Sequence, residues 1–251
     1  MNNAFYTGAS GLRAHQFAID VTSHNLVNTN TYGYKATIPE FRDLLYSNMD
    51  VNVNRELDDD AKIHAGHGVK LNNQDLLFTQ GNLYNSGFEL DFAIAGEGLF
   101  AVERRGDIEY TRNGAFDLSI EGDNEDPYLV TSDGAYVLDQ NYERIQVPLK
   151  PDSNTIDSNG LSKRLGVFSF SNPYGLLRTN YEGFVPTDIS GEPQIANAQE
   201  YKIYEQTLER SNVDVAKEFA DVIVSQKAYQ FSARVVTTAD EVEQVANSLR
   251  K

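Results

Sequence analysis

From Asp214 to Leu249 the chain contains no glycine and no proline, and no other feature constrains the fold as strongly. Those two residues interrupt helices, so a long run without them reads as one continuous α-helix. Ser211, with Asp214 three residues later, resembles a capping box and sets the predicted start. At 1.5 Å rise per residue the rod would be roughly 57 Å long. Two apolar series run along it at intervals of seven. One holds Leu208, Val215, Val222, Tyr229 and Val236. The other holds Ala228, Val235, Val242 and Leu249, with Val224 and Phe231 beside it. At 100° per residue the two seams fall on nearly opposite sides of the helix. One apolar face suits a helical hairpin; two faces require two sets of neighbours. A helix buried at the centre of its own domain would satisfy both. The chain offers only one other long helix, which points to neighbours from other copies of the chain.

That other helix lies at the far end. Phe5, Leu12, Ile19 and Leu26 again recur at intervals of seven, beside a stripe of small residues, Ala4, Gly8, Gly11 and Ala18. Glycine within a helix costs about 1 kcal/mol relative to alanine, so two of them imply fraying or a close-packed neighbour. The helix should stop by Asn28 to Asn30, where turn-forming residues gather, with Gly33 just beyond. Between the ends the period changes to alternation. Leu90 to Ala95, Leu99 to Val102 and Leu165 to Phe170 read as strands. Ile108 to Thr111 and Ala115 to Leu118, joined by Asn113-Gly114, read as a hairpin. Tyr128 to Val130 and Ala135 to Leu138, joined by Asp133-Gly134, read as another. All seven prolines lie between Pro39 and Pro193. The expected class is α+β, with terminal helices paired as a coiled-coil layer and a β-rich domain inserted between them. The expected segments are helix over 1–30, extended linker over 31–85, β-rich domain over 86–190, linker over 191–210 and helix over 211–251.

Charge removes several function classes. Asp and Glu number 37 against 21 Lys and Arg, a net −16. Phosphate backbones and anionic membrane surfaces require clustered positive charge, so neither nucleic acid nor membrane is expected as a partner. With no cysteine there is no disulfide, thiolate nucleophile or Cys-ligated zinc. The first basic residue is Arg13 and no unbroken apolar stretch follows it, so a cleaved secretory signal is not expected.

Chemical sites are few. Gly96-Glu97-Gly98-Leu99-Phe100-Ala101 matches a dinucleotide fingerprint in its first glycines. That fingerprint needs a following helix to hold the pyrophosphate, whereas Leu99 to Val102 reads as strand, so a tight turn is expected. His64-Ala-Gly-His67, near Asp58-Asp59-Asp60, has the ligand types for a metal but lies among glycines and reads as a solvated loop. His15 and His24 belong to the first helix. Glu121, Asp123, Glu125 and Asp126 lack the spacing of a calcium loop and read as a hairpin tip. No nucleophile-elbow pattern is present. No catalytic residue, cofactor or metal is expected. Glu209 and Glu218 are expected on exposed surface.

Three passages resemble the flagellar basal-body rod and hook family of axial proteins. The first, His24-Asn-Leu-Val-Asn-Thr-Asn-Thr-Tyr-Gly-Tyr-Lys35, is similar to the signature that ends the family's N-terminal helix, through Asn25, Leu26, Asn28, Gly33 and Lys35. The second is Asp91-Phe-Ala-Ile-Ala-Gly-Glu-Gly-Leu-Phe100, carrying Gly96 and Gly98, followed by Tyr110-Thr-Arg-Asn-Gly-Ala-Phe116 and Thr131-Ser-Asp-Gly134. The third is Leu208-Glu-Arg-Ser-Asn-Val213 with Gln226-Lys-Ala-Tyr229, bringing in Ser211, Asn212, Gln226, Ala228 and Tyr229. Phe41-Arg-Asp-Leu-Leu-Tyr46 and the short length are most like a distal rod member; a proximal rod or short hook-type member is the alternative.

The resemblance implies a non-enzymatic structural subunit in the periplasmic part of the flagellar basal body. Such a subunit is exported uncleaved by the flagellar type III apparatus and polymerises into a helical tube that transmits torque to the hook. Its implied partners are further copies of itself, other rod and hook proteins, the export apparatus and the surrounding bushing rings. A competing class, an enzyme or metal-binding module merely dimerised by its coiled ends, differs in forming a closed dimer rather than an open filament.

Overall fold

The computed structural model describes residues 3–44, 46–49, 63–120, 127–147, 160–179, 181–197 and 199–249. Helix α1 spans Asn3–Val27 and passes into a 3-10 turn at Asn28–Asn30. A one-turn α2 covers Leu161–Arg164, and α3 runs Val215–Ser248. The terminal helices pack on each other and an antiparallel β domain lies between them in sequence, as the change of period from helical to alternating requires.

The chain divides into two units. A helical unit comprises Met1–Val27, Thr37–Asp75 and Asp214–Lys251, and a β unit comprises Asn28–Ala36 and Leu76–Val213.

In the helical unit, the face that α1 buries is the small one: Gly8, Gly11, Ala14, Ala18, Val21, Thr22 and Asn25. A Cβ added at Gly8 would stand 2.7 Å from Val236 Cγ2, and one at Gly11 would stand 2.8 Å from Ser232 Oγ. The glycines therefore mark a close helix–helix approach rather than fraying. Helix α3 begins later than the capping-box reading placed it. Asp214 itself is the N-cap, accepting from the amides of Ala216 at 3.0 Å and Lys217 at 3.3 Å. Leu208, assigned above to the first seam, lies in a strand. Among the described residues the unit also holds four strands: β1 (Thr37–Asp43), β2 (Tyr46–Met49), β3 (Ile63–Gly66) and β4 (Val69–Leu76), with β1 paired to β4 and β2 antiparallel to β3.

The β unit is built on a nine-stranded sheet. Its strands are β7 (Leu99–Arg104), β8 (Asp107–Thr111), β9 (Phe116–Ser119), β10 (Tyr128–Thr131), β11 (Tyr136–Val137), β12 (Val167–Ser169), β13 (Leu177–Arg178), β14 (Gly183–Val185) and β15 (Gln194–Ile195). The main path is β13-β14-β8-β7-β11-β10-β9, with β12 also on β7 and β15 beyond it. Two short pairs flank it: β5 (Leu83–Asn85) with β17 (Thr207–Glu209), and β6 (Phe92–Gly96) with β16 (Tyr201–Glu205). Strand β7 is buried on both faces. Phe100 and Val102 enter one apolar cluster with Phe92, Phe116, Leu129 and Val137. Leu99 and Ala101 enter another with Tyr110, Phe168 and Phe184.

The hairpin at Asp133-Gly134 forms as read, with Val130 opposite Tyr136. The one at Asn113-Gly114 does not. Strand β8 pairs with β7 and β14, while β9 pairs with β10. The segment at Gly114 instead passes β6 so closely that an added Cβ would stand 1.7 Å from the Phe92 carbonyl. Here glycine serves close backbone approach, not a tight turn.

Candidate functional site

The helical unit presents two kinds of surface. Val222, Ala228 and Val236 are half-buried, as are Leu12, Ile19 and Leu26 of α1. Phe5, Val215, Val224, Tyr229, Phe231, Val235, Val242 and Leu249 are exposed, with Phe231 at 61%, Val242 at 60% and Leu249 at 82%. Every residue from Asp240 to Leu249 is exposed. Two seams on one helix exceed what α1 can cover, so large apolar side chains remain in water.

Asn25, at the end of α1, makes a two-point bond with the backbone of Thr37. Its Nδ2 donates to the Thr37 carbonyl at 2.8 Å, and its Oδ1 accepts from the Thr37 amide at 2.9 Å. Nδ2 also reaches Glu218 Oε1 at 3.3 Å. Glu218 is buried, contrary to the expectation of exposure, because its position on α3 faces α1. Burial raises its carboxyl above the usual range, opposed by the Asn25 bond and reinforced by the charge of Asp221.

In the β unit, motif residues far apart in sequence meet at one buried ionic cluster. Glu209, also expected to be exposed, is 2% exposed at its centre. Lys35 Nζ lies 2.7 Å from Glu209 Oε1, and Arg112 Nε lies 2.5 Å from Oε2. The Gly81 amide donates to Oε1 at 2.7 Å, and Lys35 also donates to the Thr79 carbonyl at 2.9 Å. Burial acts to raise the Glu209 carboxyl, but the charges of Arg112 and Lys35 outweigh it and hold the group below the usual carboxylate range. Burial lowers the Lys35 ammonium, which Glu209 opposes. Two cations face one carboxylate, and backbone carbonyls solvate the excess. Arg112 Nη2 donates to Ile94 at 2.8 Å and to Gly96 at 2.7 Å, and Nη1 donates to Gly98.

These bonds explain the motif glycines. Arg112 grips the turn that carries Gly96 (φ 107°) and Gly98 (φ 136°), and an added Cβ at Gly96 would stand 2.2 Å from the Glu200 carbonyl. The turn leads into β7, so the helix that a dinucleotide site needs is replaced by a strand. Gly33 (φ 70°) passes the backbone of Arg112 and Asn113, where a Cβ would stand 2.4 Å from the Asn113 amide nitrogen. Ser211 and Asn212 are half-buried and Gln226 is exposed.

No grouping of three or more histidine and carboxylate side chains suited to a metal occurs among the described residues. His15 packs on Phe41 with ring centroids 5.7 Å apart, and burial lowers its imidazole below the usual value. His67 faces Asn3 Oδ1 at 3.3 Å. Asp58 to Asp60 and Glu121 to Asp126 lie outside the described residues, as does the side chain of His64.

Three family models match the chain. "Flagella basal body rod protein" matches residues 5–35, "Flagellar hook protein FlgE/F/G D1 domain" residues 93–161, and "Flagellar basal body rod FlgEFG protein C-terminal" residues 204–249. Over almost its whole length the chain is similar to the flagellar basal-body rod protein FlgG of Agrobacterium fabrum, at 33% identity across 97% of this chain and 98% of that protein. The chain belongs to the flagellar basal-body rod protein family. This rod-family chain is also similar to FlgG of Borreliella burgdorferi, 31% identical over the full length of both. Similarity extends to the flagellar hook-basal body complex protein FlhP of Bacillus subtilis, 29% identical over both full lengths. The family is structural, not enzymatic. Each of the three matched regions of this rod protein contributes one charged member of the buried cluster: Lys35, Arg112 and Glu209.

The segments holding Arg112, Glu209 and Asn212 carry the family resemblance, but their local pattern puts Glu209 on the surface and marks no role for Arg112. One signal was available. Arg112 is the single charge of the motif segment 110–116, whereas Glu209 stands beside Arg210 and carries no such signal.

Proposed function

We propose that this chain is a distal rod subunit. It polymerises head to tail with copies of itself into a helical tube that carries torque from the motor to the hook. It meets other rod and hook proteins at the tube ends and the bushing rings around its wall, after export uncleaved through the flagellar type III apparatus. The observation that carries the reading is the second apolar seam of α3, exposed beside the α1–α3 pair. Val242 and Leu249, and the part of Val235 that its neighbour Gly8 on α1 leaves exposed, gain burial in this reading only when another subunit covers them, worth about 1.5–3 kcal/mol per fully buried side chain.

The test replaces Val235 and Val242 with Asp. Charge in an apolar seam abolishes the burial and adds a desolvation penalty. Thermal unfolding of the β unit should stay within error, the variant should still be exported, and filament formation and motility should fail. Glu243→Ala and Lys227→Ala, both at exposed positions, serve as controls. An exported Asp variant that builds a working rod would refute the seam as an intersubunit contact.

A further inference from the structure

Four peptide links join the two units, at 27–28, 36–37, 75–76 and 213–214. The β-unit segments that flank three of these links are bonded to one another in every pairing. Between 33–36 and 209–212, the Gly33 amide donates to the Glu209 carbonyl at 2.8 Å, and the Ala36 amide donates to Asn212 Oδ1 at 2.8 Å. Between 33–36 and 77–81, the Leu77 amide donates to the Ala36 carbonyl at 2.8 Å. Between 77–81 and 209–212, Asn212 Nδ2 donates to the Leu77 carbonyl at 2.6 Å and to the carbonyl and hydroxyl of Thr79, each at 3.0 Å. The Glu209 carboxylate binds Lys35 from the first segment and the Gly81 amide from the second. Arg178 adds a bond to the Lys35 carbonyl at 3.0 Å and stacks over Tyr34 at 4.2 Å.

Asn212, like Glu209, touches all three segments through one side chain, being part of the third, and it alone of the two both donates and accepts. Only a carboxamide can accept from Ala36 and donate to Leu77 and Thr79 at once. The location of these bonds beside the unit-to-unit links points to a mechanical purpose. We propose that Asn212, supported by Glu209, is the keystone of a clasp that binds the three exit segments into one anchorage, so that load entering the β unit is shared among the chain crossings. The clasp rests on the reading of this chain as a torque-bearing rod subunit. Without it, twist would fall on single peptide segments and peel them one at a time; with it, several hydrogen bonds must break together.

The test is hydrogen exchange on the full chain, comparing wild type with Asn212→Ala and Asn212→Asp. The Asp variant keeps an acceptor for Ala36 and loses every donor. The amides of Gly33, Ala36, Leu77 and Gly81 should exchange at least ~10-fold faster in the Ala variant, following loss of several hydrogen bonds. Asp should protect Ala36 but not Leu77. Amides of the β7–β8 ladder should stay protected in both, which certifies the fold, and Asn73→Ala on exposed β4 should change nothing. Unchanged exchange at Leu77 and Gly81 in the Ala variant would overturn the clasp. Torsional stiffness of filaments assembled from wild type and from the Ala variant is the second readout, and it should fall. Softer exchange at the exits with undiminished stiffness would overturn the load-sharing role while leaving the rod reading intact; failure of the wild type to form filaments would instead sink the rod reading.

Discussion

Replacing Glu209 with Ala isolates the energetic weight of the buried cluster. The side chain is almost wholly enclosed and accepts from Lys35, Arg112 and the Gly81 amide. Its loss strands two cations among backbone carbonyls and leaves the Gly81 amide without its acceptor. Removing one partner of a buried ion pair costs about 3–5 kcal/mol, far beyond the ~1 kcal/mol of a surface pair. For a β unit of roughly 150 residues, each kcal/mol lowers the midpoint by about 2–4 °C, so a fall of roughly 10 °C is expected. Urea unfolding followed by circular dichroism should report the same loss with an unchanged slope. Glu209→Gln, which keeps an acceptor but not the charge, should fall between. Acid gives an independent check. The folded carboxyl sits below its ordinary value, so its stabilisation is present above about pH 4.3 and is lost as pH falls through the lower folded value. The Ala variant should therefore show a flatter acid limb than wild type. A midpoint within 2 °C of wild type, with an unaltered acid limb, would refute the cluster as a determinant of stability.

Two further outcomes concern the helical unit. Gly8→Val should separate α1 from α3, because the first added carbon already crowds Val236; overpacking of this kind costs about 1–3 kcal/mol, read as lost helical signal on heating while the β unit keeps its midpoint. Glu218→Gln should hold the stability of the helical unit flat as pH rises from about 4.3 through the elevated folded pKa, whereas wild type loses stability across that window, because burial favours the protonated form; an identical pH profile for both would exclude Glu218 as the cause.

Glu209 and Glu218 read as exposed from the sequence, and are buried in the structure, for one shared reason. A lone carboxylate in sequence is a surface residue by default, and only its partners overrule that default. For Glu209 the partners stand 97 and 174 residues away, so no local pattern contains them. Glu218 lies 193 residues from the Asn25 amide that meets it.

The sequence by itself determined what depends on neighbours along the chain. The absence of glycine and proline decided α3, the cluster of Asn and Thr decided the end of α1, and alternation decided the strands of the middle, because dihedral preference and side-chain period are local properties. The heptads exposed the surplus of apolar surface on α3 for the same reason. Tertiary structure alone decided which face of α1 meets α3, since its small residues, not its larger Phe5 series, allow the helices to approach. It also decided that Gly114 marks a crossing and not a turn, and that Lys35, Arg112 and Glu209 form one cluster with Asn212 beside it. Those outcomes depend on distances between segments that the backbone brings together, and a charge or a glycine carries the same local signal whether its partner is water or a strand from the other end of the chain.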